Sequence, residues 1–166
     1  QDTTSPEVVW NGGFEIAPLL GWGLDWQIQR VWGVDVQIDS SQANSGRQSL
    51  RLAFNSFPTL DFAGVFQDVV VDPGGRYTLR ARARASDSVT RSGLKLEVIE
   101  SATGAVLGQT GSIDGTTEWM SLEGRVRVPP ELSLVRLRLR REQAPGPERH
   151  LGGKVGIDSV GLTREP

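Results

Sequence analysis

The feature that most constrains this chain is strict two-residue alternation of apolar and arginine side chains. In "YTLRARARASD" (residues 77–87), Arg80, Arg82 and Arg84 alternate with Leu79, Ala81 and Ala83. In "LVRLRLRRE" (residues 134–142), Arg136, Arg138 and Arg140 alternate with Val135, Leu137 and Leu139. At about 100° per residue a helix would scatter both sets around its circumference, whereas a strand sorts them onto opposite faces. Only a strand fits.

The same period recurs along the chain. Trp32, Val34, Val36 and Ile38 share a parity against Asp35, Gln37 and Asp39, which places Trp32 in the core. Leu50, Leu52 and Phe54 oppose Arg51 and Ala53, and Leu94, Leu96 and Val98 oppose Lys95 and Glu97. Val126 and Val128 oppose Arg125 and Arg127, and "GKVGIDSVGL" closes the chain with Val155, Ile157 and Val160 inward. "DPGG" (residues 72–75) is a turn that reverses the chain between sheets. Twenty glycines and nine prolines punctuate many short segments. The expectation is an all-β, two-sheet antiparallel β-sandwich of eight or more strands, with a tail or linker at residues 1–6 and one domain over 7–166.

Several function classes lose support here. The formal net charge of −2 disfavours nucleic acid as a partner. No run approaches the ~20 apolar residues of a membrane span. There is no cysteine nucleophile, and the lone His150, in "APGPERHLGG", reads as a solvated loop residue. No serine stands in a G-x-S-x-G context, and Glu97 and Glu100 have opposite parity, so no strand presents paired acids for glycoside hydrolysis. The reading is non-catalytic.

Five motifs occur in a particular order: "NGGFE" (11–15) with a following Gly21-Trp22 pair, "ANSGRQSLRL" (43–52), "FQDVVVDPGGRYTLRARARA" (66–85), "TTEWMSLEGRVRVP" (116–129) and "VGIDSVGL" (155–162). Together they resemble the carbohydrate-binding modules attached to bacterial xylanases, cellulases and laminarinases, which have a galactose-binding-like jelly roll. A looser likeness is to modules of bacterial exopolysaccharide-associated proteins. The resemblance spans nearly the whole chain. It implies a secreted or cell-envelope protein, a polysaccharide or oligosaccharide ligand, and other domains of a larger protein as neighbours. It makes Trp22 structural. It also implies a structural calcium held by Glu15, Asp158 and backbone near Arg47, since calcium takes hard oxygen ligands.

In such a jelly roll Arg80, Arg82, Arg84, Arg125 and Arg127 fall on one sheet. Lys95, Glu97, Arg136, Arg138 and Arg140 fall on the other, which the resemblance makes the concave, ligand-bearing one. Arginine suits that task through its planar fork, which can grip hydroxyl pairs or carboxylates. A face richer in arginine than in aromatics points to an acidic or strongly hydrogen-bonding glycan. The alternative is a solvated face, or a structural or protein-interaction domain using the same groove. Trp26, Phe57 and Phe62 are the candidate exposed platforms for sugar rings. Tyr77 is read as core, Phe14 as entering the core after the glycines, and Trp119 as a plug at one end, its indole N–H bonded to backbone.

Overall fold

The computed structural model describes residues 7–16, 24–57, 61–86, 94–113, 117–142 and 151–166, with side chains at 55–57 and 151–152 left aside. The tail 1–6, Trp22 and His150 lie outside the described residues. So do the side chain of Phe57 and most of the loop beyond it.

The described strands are β1 (Gln27–Ile28), β2 (Val34–Asp39), β3 (Ser49–Phe57), β4 (Phe62–Val70), β5 (Arg76–Ser86), β6 (Lys95–Ile99), β7 (Val106–Gln109), β8 (Thr117–Arg127), β9 (Leu134–Arg141) and β10 (Leu151–Arg164). They form two five-stranded antiparallel sheets. Sheet one runs β1-β4-β9-β6-β7 and sheet two runs β2-β3-β10-β5-β8. This is the two-sheet antiparallel sandwich that the alternation predicted, with the jelly-roll architecture that the resemblance implied. The two arginine strands fall on different sheets, β5 on sheet two and β9 on sheet one.

Alternation fills the space between the sheets. Leu50, Leu52 and Phe54 on β3, Tyr77, Leu79, Ala81, Ala83 and Ala85 on β5, and Val135, Leu137 and Leu139 on β9 all bury their side chains. Alanine on the inward side of β5 lets the partner sheet approach, while leucine on β9 fills the space opposite. The turn after Asp72 crosses between sheets as expected: Gly75 N–H bonds Asp72 C=O at 3.0 Å, and Gly74 takes φ 73°, where a side chain would be strained. Tyr77 is buried, and its hydroxyl accepts the Asp72 N–H at 2.8 Å, bracing that turn.

The tryptophans differ from the sequence expectation. Trp32 is 76% exposed and not core, because Gly33 at φ 88° breaks the parity before β2 begins. Trp26 is fully buried: it stacks on Phe14 with ring centroids 5.2 Å apart, and its indole N–H donates to Asn11 C=O at 3.0 Å. The indole bond to backbone that was expected of Trp119 is thus made by Trp26. Trp119 sits at a bulge, where the β5–β8 register slips between Ala83 and Ala85, and its ring lies half-exposed over Gly156 on the outside of sheet two.

Candidate binding face and carboxylate cluster

The outer face of sheet one collects five of the eight residues singled out for ligand contact: Lys95, Glu97, Arg136, Arg138 and Arg140. The pairing register lines up one row across all five strands: Gln27, Phe66, Arg138, Glu97 and Gln109. Paired residues in an antiparallel sheet project to the same side, so the row is a single polar track with one aromatic in it. Asp68, Arg136, Ile99 and Val106 form the next row, and Arg140 with Lys95 lies on the other side.

The arginines are held rather than free. Arg138 Nε donates to Glu97 Oε1 at 3.0 Å, and its Nη2 stands 2.9 Å from the same oxygen. Lys95 Nζ stands 3.8 Å from Glu97 Oε2, and Arg140 Nε 3.9 Å from Oε1. Glu97 is only 2% exposed although it points outward, because these cationic side chains roof it over. Arg136 Nε bonds Asp68 Oδ1 at 2.8 Å, and its guanidinium lies 4.1 Å from the centre of the Phe66 ring. Arg140 bonds Asp61, whose carboxyl it holds below the usual carboxylate range against the opposing effect of burial. Lys95 also donates to Gln109 Oε1 at 2.8 Å. Each sheet-one arginine on this face thus has a carboxylate partner. An arginine-rich face in sequence is a nearly charge-balanced face in three dimensions.

Two expected platforms are absent from it. Trp26 is in the core, as above. Phe62 is fully buried, packing edge-on against Phe54 with centroids 6.2 Å apart. The β4–β9 register shifts between Phe62 and Val65, so inward parity passes from Phe62 to Val65 and the outward aromatic becomes Phe66. Phe57 ends β3, and its side chain lies outside the described residues. Phe66, Asp68, Asp61, Gln27 and Gln109 are members of this face that sequence reasoning missed. The bulge hid Phe66, and the others were legible only through cross-strand partners. Trp32 projects beside a groove of about 930 Å³ lined by residues from Ile28 to Gln37, along the edge strands β1 and β2.

Glu15 and Asp158 converge at the loop of residues 44–48. Asp158 Oδ2 accepts the N–H groups of Asn44 and Ser45 at 2.9 and 3.0 Å, and Oδ1 that of Ser159 at 2.7 Å. Glu15 Oε1 accepts the N–H groups of Arg47 and Gln48 at 2.8 and 3.2 Å. Arg47 meets the cluster through its backbone N–H, which donates to Glu15. Burial pushes the Asp158 carboxyl up, the three backbone bonds pull it down, and the charge of Glu15 pushes it up again. Both carboxylates are occupied by backbone N–H donors, and among the described residues no third acidic or His side chain joins them.

No family model matches the chain, and no curated protein does. Solved structures do. A CBM4 module superposes with a TM-score of 0.67 at 13% identity, covering 95% of this chain and 99% of that one. The CBM22-1 xylan-binding domain of Paenibacillus barcinonensis Xyn10C gives 0.62 at 17% identity, covering 98% and 97%. The arabinose-bound α-L-arabinofuranosidase MgGH51 gives 0.68 at 17% identity over 97% of this chain, which spans only 27% of that enzyme's chain. No helix among the described residues is long and apolar enough to cross a membrane. At these identities the match is one of architecture: the chain has the jelly-roll fold of the carbohydrate-binding modules CBM4 and CBM22.

Proposed function

We propose that the chain is a non-catalytic carbohydrate-binding module that holds a polysaccharide on the outer face of sheet one. The observation that carries this is the row from Gln27 through Phe66, Arg138 and Glu97 to Gln109, a track crossing all five strands with its central side chains fixed before any ligand arrives. Preorganised donors and acceptors lose little entropy on binding, which suits recognition of a chain of hydroxyl groups. Because Arg136, Arg138 and Arg140 are matched by Asp68, Glu97 and Asp61, the face favours a neutral, hydroxyl-rich glycan over a polyanion. Likeness of fold to the CBM22-1 xylan-binding domain makes xylan the first glycan to try.

Hydrolysis finds no support on this face, since Glu97 spends its oxygens on cations. A bacterial, secreted or cell-envelope setting, next to other domains of a larger protein, belongs to the same proposal. So does calcium at Glu15 and Asp158, where the ion would supply positive charge joining the first segment, the 44–48 loop and β10. Affinity electrophoresis in gels containing xylan, barley β-glucan or laminarin tests the binding proposal. Retardation by at least one neutral glycan, lost in Arg138→Ala, supports it. Equal mobility in every gel overturns it and favours the alternative of a protein-interaction or structural domain.

A further inference from the structure

The outer face of sheet two carries a cavity whose charges are not balanced. On sheet two, Arg51, Gly156 and Arg84 are register partners on β3, β10 and β5. The absent side chain at Gly156 opens a gap between two arginines. Trp119 roofs one side of it, its ring so close that a Cβ on residue 156 would stand 3.1 Å from Cη2. The result is a cavity of about 210 Å³, lined by Arg51, Arg84, Lys154, Asp39, Gln42 and Trp119, together with serines.

Three cations line this cavity against one carboxylate, and that carboxylate is engaged: Asp39 Oδ1 accepts both the N–H and the Oγ–H of Ser41, at 2.8 and 2.6 Å. Among the described residues Arg84 bonds Gln42, a neutral partner, and comes within 3.9 Å of Glu118, which is 88% exposed and outside the lining. Arg51 Nη2 bonds Gln37 Oε1 at 2.8 Å, while its buried Nε–H has no hydrogen-bond partner among the described residues. A buried donor without a partner costs free energy, so this arginine is under-satisfied.

We propose that this cavity binds one acidic sugar unit, a uronate, with its ring against Trp119 and its carboxylate among Arg51, Arg84 and Lys154. The volume suits a single ring rather than a chain, the indole supplies an apolar face for ring C–H groups, and guanidinium is the side chain that matches a carboxylate. This site is independent of the track on sheet one, which lies on the other side of the sandwich.

The test is an NMR titration of the chain with trigalacturonate at low salt, following the Trp119 indole and the amides of Arg84 and Lys154, with cellotriose and acetate as controls. Trigalacturonate shifts these signals and cellotriose does not. Lys154→Gln, at an exposed position, and Arg84→Gln each weaken binding by about tenfold, the loss of one charge-assisted contact. Arg138→Ala leaves the titration unchanged, which separates this site from the proposed glycan track. Three results overturn the proposal: no shifts at millimolar trigalacturonate, binding by both sheet-two variants as tight as by the parent, or acetate acting as well as the trisaccharide at matched carboxylate concentration.

Discussion

Arg138 and Glu97 face each other on neighbouring strands of sheet one, and the guanidinium sets two nitrogens against a single carboxylate oxygen beneath an almost closed surface. Removing the carboxylate leaves Arg138, Arg140 and Lys95 crowded together without their common anion. Glu97→Ala is expected to lose about 2–4 kcal/mol in urea unfolding, because the cations left behind are partly desolvated. Glu97→Gln keeps the shape and one acceptor and loses less. A Glu97→Ala protein as stable as the parent would show the pairing to be incidental.

The tryptophans divide sharply. Trp26→Ala removes a buried indole, its stack on Phe14 and its bond to Asn11, and is expected to cost about 3–5 kcal/mol. Trp32→Ala, at a side chain open to solvent, stays within about 0.5 kcal/mol of the parent. Thermal or urea unfolding of the two variants side by side checks the assignment, and a reversal of their order contradicts it.

Acid stability has a specific contributor in Asp61. Its bond from Arg140 keeps the folded carboxyl below the ordinary value of 3.8. The unfolded chain then takes up a proton first as pH falls, so the contribution is present above 3.8 and is lost as pH drops through the lowered value. It is small, since Asp61 is half-exposed and salt screens the pair. A carboxyl-carbon NMR titration of Arg140→Gln should move the Asp61 midpoint upward, and an unchanged midpoint would refute the cause.

Calcium at Glu15 and Asp158 predicts a melting temperature that rises in millimolar calcium and falls with chelator, with the difference lost in Glu15→Gln. Weak binding is expected, since backbone N–H groups already occupy part of both carboxylates. Identical melting in calcium and chelator removes the ion from the account.

Much of this architecture was readable from alternation, because a two-residue period records which side of a sheet a residue faces. The assignment of Lys95, Glu97, Arg136, Arg138 and Arg140 to one sheet and of Arg80, Arg82, Arg84, Arg125 and Arg127 to the other came instead from the jelly-roll strand order that the resemblance implied. Parity fails wherever the backbone inserts an extra residue or turns through positive φ. The register shift in β4 turned Phe66 outward, and Gly33 at positive φ turned Trp32 out of the core. Charge balance was also hidden: Asp61 and Asp68 lie about 70 residues or more before their arginine partners, and only strand order brings them together.

The most direct measurement is a backbone-amide NMR map of the chain titrated with whichever neutral glycan retards it in the gels. The account predicts shifts centred on Phe66, Arg138, Glu97 and Gln109, with Arg80 and Glu123 on the far sheet still. Shifts confined to sheet two, or spread without a centre, would contradict it.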